Sequence, residues 1–286
     1  MYFEAPFRQA EWMPVRNNER EHGRVHQSLP PTISIFLILY VFIQPQIVAA
    51  QIPSSQRSKT AIQKVKPELE KALHAQSLKF GAPIFIRIFK ASKELEIWIQ
   101  EQPLTDDKTT GRKTYRHFRT YKICDFSGAL GPKLKRGDHQ SPEGFYFVKP
   151  NQLNPWSQFH LSFNIGYPNA YDRFHKRTGS AIMIHGSCVS IGCYAMTDEK
   201  IEEIYALADA ALRNGQRFFR VHIFPFRMTK KNINAHRKSK WRGFWQNLKA
   251  GYDYFEQHKY PPNVVVKNGQ YAFEADFRRG DFNRSE

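Results

Sequence analysis

The sequence predicts a mainly β domain, a sandwich or barrel, with flanking helices. Several short apolar runs alternate with period two, and turn-rich segments separate them. Helical spacing is confined to three stretches, 61–80, 197–213 and 241–252.

In chain order, residues 51–60 (QIPSSQRSKT) are polar and read as a flexible leader. Ile62, Val65, Leu69, Leu73 and Leu78 follow at helical spacing, with Pro67 among them. The expectation is one helix starting near Pro67, or a kinked one. Ile84, Ile86 and Ile88 then alternate with Phe85, Arg87 and Phe89, and Leu95, Ile97 and Ile99 with Glu96, Trp98 and Gln100. The break at 90–94 makes these a hairpin. Residues 101–112 read as a polar loop, and Tyr115–Cys124 as a strand. The segment 128–144, GALGPKLKRGDHQSPEG, is punctuated by Gly-Pro, Gly-Asp and Ser-Pro pairs and reads as turns. Phe145–Val148, Phe159–Ile165, Ser180–Ile184 and Phe218–Phe224 are further strands. Between the last two, Thr197 is a candidate N-cap with Asp198 and Glu199 in the first turn, and Asn214-Gly215 supplies the stop. Arg227–Arg242 holds seven Lys/Arg and no acid. The aromatic stripe Trp241, Phe244, Trp245, Leu248 and Tyr252 after it reads as a helix packed on the domain rather than a nucleic-acid surface.

The chain has 286 residues, 41% of them hydrophobic, enough for one sizeable core with appendages or for two small domains. Its net charge of +17 favours an acidic partner such as nucleic acid, anionic lipid or an acidic wall polymer. A basic protein without a polyanion partner is the plain alternative. Residues 33–43, ISIFLILYVFI, are an apolar run followed by Val48-Ala49-Ala50, the pattern of a secretory signal cleaved near Ala50. The run is short for a membrane span. The stretch before it is long for a signal, which leaves an uncleaved anchor as the alternative to export with cleavage, and carries four basic and four acidic residues. Their charges cancel, so the exported chain keeps the whole excess.

The chain has three cysteines, Cys124, Cys188 and Cys193, so an exported form should hold at least one free thiol. No CxxC pair or Cys/His zinc spacing occurs, and neither metal nor cofactor is expected. The stretch SAIMIHGSCVSIGCYAM, 180–196, carries the candidate chemistry. An apolar strand delivers His185 and Gly186, and Cys193 follows a glycine. A thiol attacks carbonyls as thiolate, and an imidazole can take its proton. Gly192 permits a sharp turn that aims amide N–H groups at a developing oxyanion.

These residues resemble the L,D-transpeptidase (YkuD) family. Its motif, His-Gly and then Ser/Thr-x-Gly-Cys, stands here as His185-Gly186 and Ser190-Ile191-Gly192-Cys193. Gly137-Asp138, Ser141–Tyr146 and Tyr167-Pro168-Asn169 agree with it. The runs IHGSCVSIGCYAM, TDEKIEEIY and FPFRMT resemble the family's YafK branch, and the likeness spans about residues 60–275. It implies a YkuD-type β-sandwich or barrel with flanking helices, Cys193 as nucleophile and His185 as proton acceptor and donor. The Gly186 carbonyl would orient the imidazole, and the N–H groups of Gly192 and Cys193 would bind the oxyanion. Ser190 would support this turn, or be a structural turn serine. Cys188 reads as buried or structural.

Two departures from the family pattern stand out. Only Ser187, Cys188 and Val189 separate Gly186 from Ser190, and Ile191 stands where a histidine is usual. The implied substrate is peptidoglycan, attacked at an amide adjoining meso-diaminopimelate to give a thioester. An amine acceptor would yield a cross-link or a wall-attached protein, such as an outer-membrane protein or lipoprotein. Water would make the enzyme a hydrolase. An inactive wall-binding module is the third reading. The expected organisation is an extension and signal over 1–50, leader and helix over 51–80, a catalytic domain over 81–226 and a basic, amphipathic extension over 227–286. The expected location is the periplasm, with no nucleic-acid partner and no membrane span after cleavage.

Overall fold

The computed structural model describes residues 52–102 and 114–274. The expected export segment and most of the expected loop at 101–112 lie outside the described residues. Helix α1 spans Gln56–His74, α2 Ala170–Phe174, α3 Asp198–Arg213, α4 Lys230–Ala235 and α5 Arg242–His258.

The first sheet holds β1 (Ile84–Phe89), β2 (Glu94–Gln100), β3 (Tyr115–Lys122), β5 (Gly144–Val148) and β10 (Phe219–Phe224). Its order is β3-β2-β1-β10-β5, antiparallel except for β1 beside β10. The second holds β4 (Asp125–Phe126), β6 (Leu153–Asn154), β7 (Ser162–Asn164), β8 (Met183–His185) and β9 (Tyr194–Ala195), in the order β4-β9-β8-β7-β6. Strands β11 (Asn263–Lys267) and β12 (Gln270–Glu274) form a separate hairpin. The sheet-rich architecture agrees with the expected fold class.

Every residue of β1 is buried, because both faces of the first sheet are covered. Ile84, Ile86 and Ile88 join a core with Leu69 and Leu73 of α1, Ile184 and Tyr194 of the second sheet, and α3. Phe85 and Phe89 point the other way, onto Phe255 and Tyr252 of α5. Arg87 lies on that face too, paired with Glu96 and with Glu256 of α5.

Three expectations need correction. The polar leader is helix from Gln56: Ser55 caps it by accepting the Ser58 N–H, and the Ser58 hydroxyl pairs with the Ser55 N–H. The helix runs through exposed Pro67 rather than starting there. Second, the basic loop expected over 227–242 contains α4, capped by Thr229. Third, β8 ends on His185, so the histidine belongs to the strand, and β9 intervenes between Cys193 and α3. The α3 boundaries match the expected cap and stop, with Gly215 at φ 96°.

Candidate active site

Strands β8 and β9 run parallel, with Ile184 opposite Tyr194 and His185 opposite Ala195. Ile184 and Tyr194 fill the core. Side chains alternate along a strand, so His185 lies on the opposite face. Cys193, the residue before Tyr194, is half-buried, and its Sγ accepts the Met183 N–H at 3.3 Å. The thiol therefore sits beside the start of the strand that ends in the histidine. Cys193 is the free thiol among the described cysteines.

His185 is buried, with the Phe159 ring 4.7 Å away. Its Nδ1 lies 2.6 Å from the Gly186 carbonyl. A carbonyl only accepts, so Nδ1 carries the proton and Nε2 of the neutral ring is left as the acceptor. Burial pulls the His185 pKa down, and the Gly186 bond opposes that only in part. Burial pushes the Cys193 thiol up, against the Met183 N–H and the Lys133 charge. Both shifts favour a neutral thiol and a neutral imidazole at rest.

The turn before Cys193 needs its glycine, since Gly192 has φ 150°. Its N–H donates to the Ser190 hydroxyl at 3.1 Å, and that hydroxyl donates to the Cys193 carbonyl at 2.8 Å. Ser190 thus organises the turn, and the Gly192 N–H is engaged here rather than turned to an open oxyanion site. Gly186 is required by close packing: a Cβ there would meet an Asp198 carboxylate oxygen at 2.5 Å.

Cys188 is exposed, not buried, and forms a disulfide with Cys124. It follows Ser187, and both have positive φ, 62° and 52°. Such a pair of non-glycine residues persists only where neighbours fix it. The disulfide does so, with the Cys188 N–H on the Met196 carbonyl and the Ser187 N–H on Asp198.

Sequence reasoning missed the brace behind the thiol. The buried Ser141 hydroxyl donates to the Cys193 carbonyl at 2.9 Å and accepts the Ser127 N–H. Glu143, fully buried, pairs with equally buried Lys90 at 3.1 Å and accepts from Gly131 N–H and Trp245 Nε1. Lys90 also donates to the carbonyls of Ala129, Gly131 and Ser141. The Ser-Pro-Glu-Gly run was visible in sequence, but its partner Lys90 read only as a turn residue.

The sheet-rich fold thus brings the Cys193 thiol and the His185 imidazole to the parallel β8–β9 pair, a candidate cysteine–histidine site. The chain belongs to the YkuD family, described as L,D-transpeptidase catalytic domain, which residues 107–223 match. It is 44% identical to the protein named "Putative L,D-transpeptidase YafK" of Escherichia coli strain K12, over 83% of this chain and 89% of that one. A solved structure, the helical cell shape determining protein Pgp2 of Campylobacter jejuni, is 19% identical and covers 72% of this chain and 81% of its own, with a TM-score of 0.37. Bdellovibrio bacteriovorus Bd1075 is 17% identical over 65% of this chain and 78% of its own, with a TM-score of 0.35.

Proposed function

We propose that this protein is an exported cysteine L,D-transpeptidase acting on peptidoglycan stem peptides. The observation that carries the reading is the 2.6 Å contact of His185 Nδ1 with the Gly186 carbonyl. With Nδ1–H fixed on Gly186, Nε2 can take the Cys193 proton. Sγ then attacks the carbonyl of an amide adjoining meso-diaminopimelate. The imidazolium returns the proton to the departing amine, leaving a thioester on Cys193. The Cys193 N–H would face the oxyanion, joined by the Gly192 N–H if Ser190 releases it. An acceptor amine from another stem, or from a wall-attached protein, resolves the thioester and restores the thiol.

Hydrolysis is the second reading, favoured by the open surroundings of the turn. Ser187, Cys188 and Val189 are exposed, and Ile191 is 81% exposed. A thioester there is open to water, so release of wall-linked peptide or protein competes with transfer. Incubating the purified protein with cross-linked sacculi, with and without an added amine, tests both. Released peptide without amine supports hydrolysis, and new cross-links alone support transfer. Neither product, together with no covalent labelling of Cys193 by a carbapenem, overturns the enzyme.

A further inference from the structure

Three segments pack against one another, and one of them, the loop 131–138, brings the Lys133 charge to the thiol. The loop 131–138 joins the chain after α2, where the Thr178 N–H donates to the Leu134 carbonyl and the Arg136 N–H to the Thr178 hydroxyl. That chain leads to Ala181, whose carbonyl lies 3.9 Å from Cys193 Sγ. The Arg177 guanidinium, 5.1 Å from the Phe244 ring, ties the end of α2 to α5. Trp241, just before α5, packs so closely on Gly131 that a Cβ there would run into the indole. The contacts close a ring, so loop, α2 and the start of α5 pack as one unit, joined to the thiol through Ala181.

Those segments are cationic, and their exposed charges have no acidic partner among the described residues. Lys135, Arg136, Arg173, Lys176, Lys240 and Arg242 are all exposed, and none forms an ion pair among the described residues. Both acids of these segments are taken: Asp138 pairs with Lys133 and Asp172 with Arg177. Two fully buried cations, Arg87 and Lys90, are by contrast paired with carboxylates. Concentrated unpaired charge of one sign beside a reactive group raises the local concentration of an oppositely charged polymer.

We infer that this face is a docking track for the carboxylate-rich strand of the cell wall, holding neighbouring stem peptides by their free carboxylates while one reaches Cys193. The inference rests on the proposed function, and names the surface by which the polymer is held rather than the bond that is cut.

The test is co-sedimentation of the purified protein with intact sacculi. One variant carries Gln at the six positions named above. A control carries Gln at Lys59, Lys71, Lys79, Lys93, Lys122 and Lys149, exposed cations of other segments. Both lose the same charge. The face variant should bind about tenfold more weakly than wild type and the control should not, as local concentration by charge requires. Amidating the sacculus carboxylates should abolish the difference by weakening wild type to the level of the face variant. Equal loss in both variants, no loss in the face variant, or wild-type binding undiminished by amidation would overturn the track. If the sixfold variant does not fold, the pair Lys240→Gln and Arg242→Gln is read the same way. Cys193→Ala should bind as wild type, so failure of the chemistry and failure of the track give different results.

Discussion

At the scale of single residues, burial acts on both reactive groups of the site and in opposite directions. It lowers the His185 pKa from its ordinary 6.5 and raises that of Cys193 from 9.0. Under the proposed mechanism the thiol loses its proton as it attacks, and the base must be neutral to receive it. In that mechanism protonation of His185 ends activity, and its lowered pKa moves that loss to more acid pH. The acid limb of kcat/KM should have its midpoint below 6.5, and a midpoint above it would refute the role of burial. The two cysteines of the loop should separate cleanly. Cys193→Ala should abolish acylation, read by mass spectrometry of the carbapenem adduct. Cys188→Ser should still acylate, because the nucleophile and base remain. It should unfold more easily, since the bridge closes a loop with a separation of 64 residues. Chain entropy puts that loss at about 4 kcal/mol, which urea titration would measure.

At the scale of elements, the thiol is held from behind by the loop 128–144, and that loop is held by one buried charge pair. Removing Glu143 leaves the Lys90 ammonium unpaired at full burial, together with the orphaned Gly131 N–H and Trp245 Nε1. Glu143→Leu should cost about 3–5 kcal/mol of stability, the range for breaking a buried pair. Ser141→Ala is milder, losing one buried hydroxyl and leaving Ser127 N–H without its partner. It should cost about 1–3 kcal/mol and lower the acylation rate by loosening the turn. Sequence periodicity found β1, β2, β5, β10 and α3 because each carries its own pattern and boundary residues. It misplaced the start of α1 because the Ser55–Ser58 capping box lies in a polar stretch without apolar rhythm. It did not register the β11–β12 hairpin, whose strands are only half covered and rest on α5 and α2. Lys90 was illegible for another reason: a lysine ending an apolar run reads as a turn, and only the folded chain brings three carbonyls and Glu143 to it.

At the scale of the whole molecule, the central strands of the first sheet are buried on both faces, and α5 with the β11–β12 hairpin is part of the fold rather than an appendage. Phe255, Tyr252 and Tyr271 cover the side of the sheet that faces away from α1 and α3. The aromatic stripe of α5 announced this in sequence. The histidine-glycine and glycine-cysteine motifs named the candidate residues, while the disulfide and the serine braces depend on contacts distant in the chain. The same two-sided burial traps His222 of β10. Its ring lies 4.6 Å from Phe85 and 4.7 Å from Phe145, and neither ring nitrogen has a hydrogen-bond partner. Burial foremost, with the charges of Arg220 and Arg87, holds its pKa well below 6.5. In the unfolded chain the same imidazole titrates near 6.5. Below that pH the unfolded state takes up a proton that the folded state refuses, so stability present above about 6.5 is lost as the pH falls. The loss tends toward about 1.4 kcal/mol per pH unit for one proton. His185 adds to the slope in the same direction, since its pKa is also lowered. His222→Leu removes one of these protons and keeps a side chain of similar volume in the aromatic pocket. Urea unfolding between about pH 5 and 7.5 should show a shallower acid slope for this variant, by close to one proton below the midpoint of the unfolded imidazole. An unchanged slope would mean that His222 is protonated or solvated in the folded protein, and that the sheet is not sealed on the α5 side.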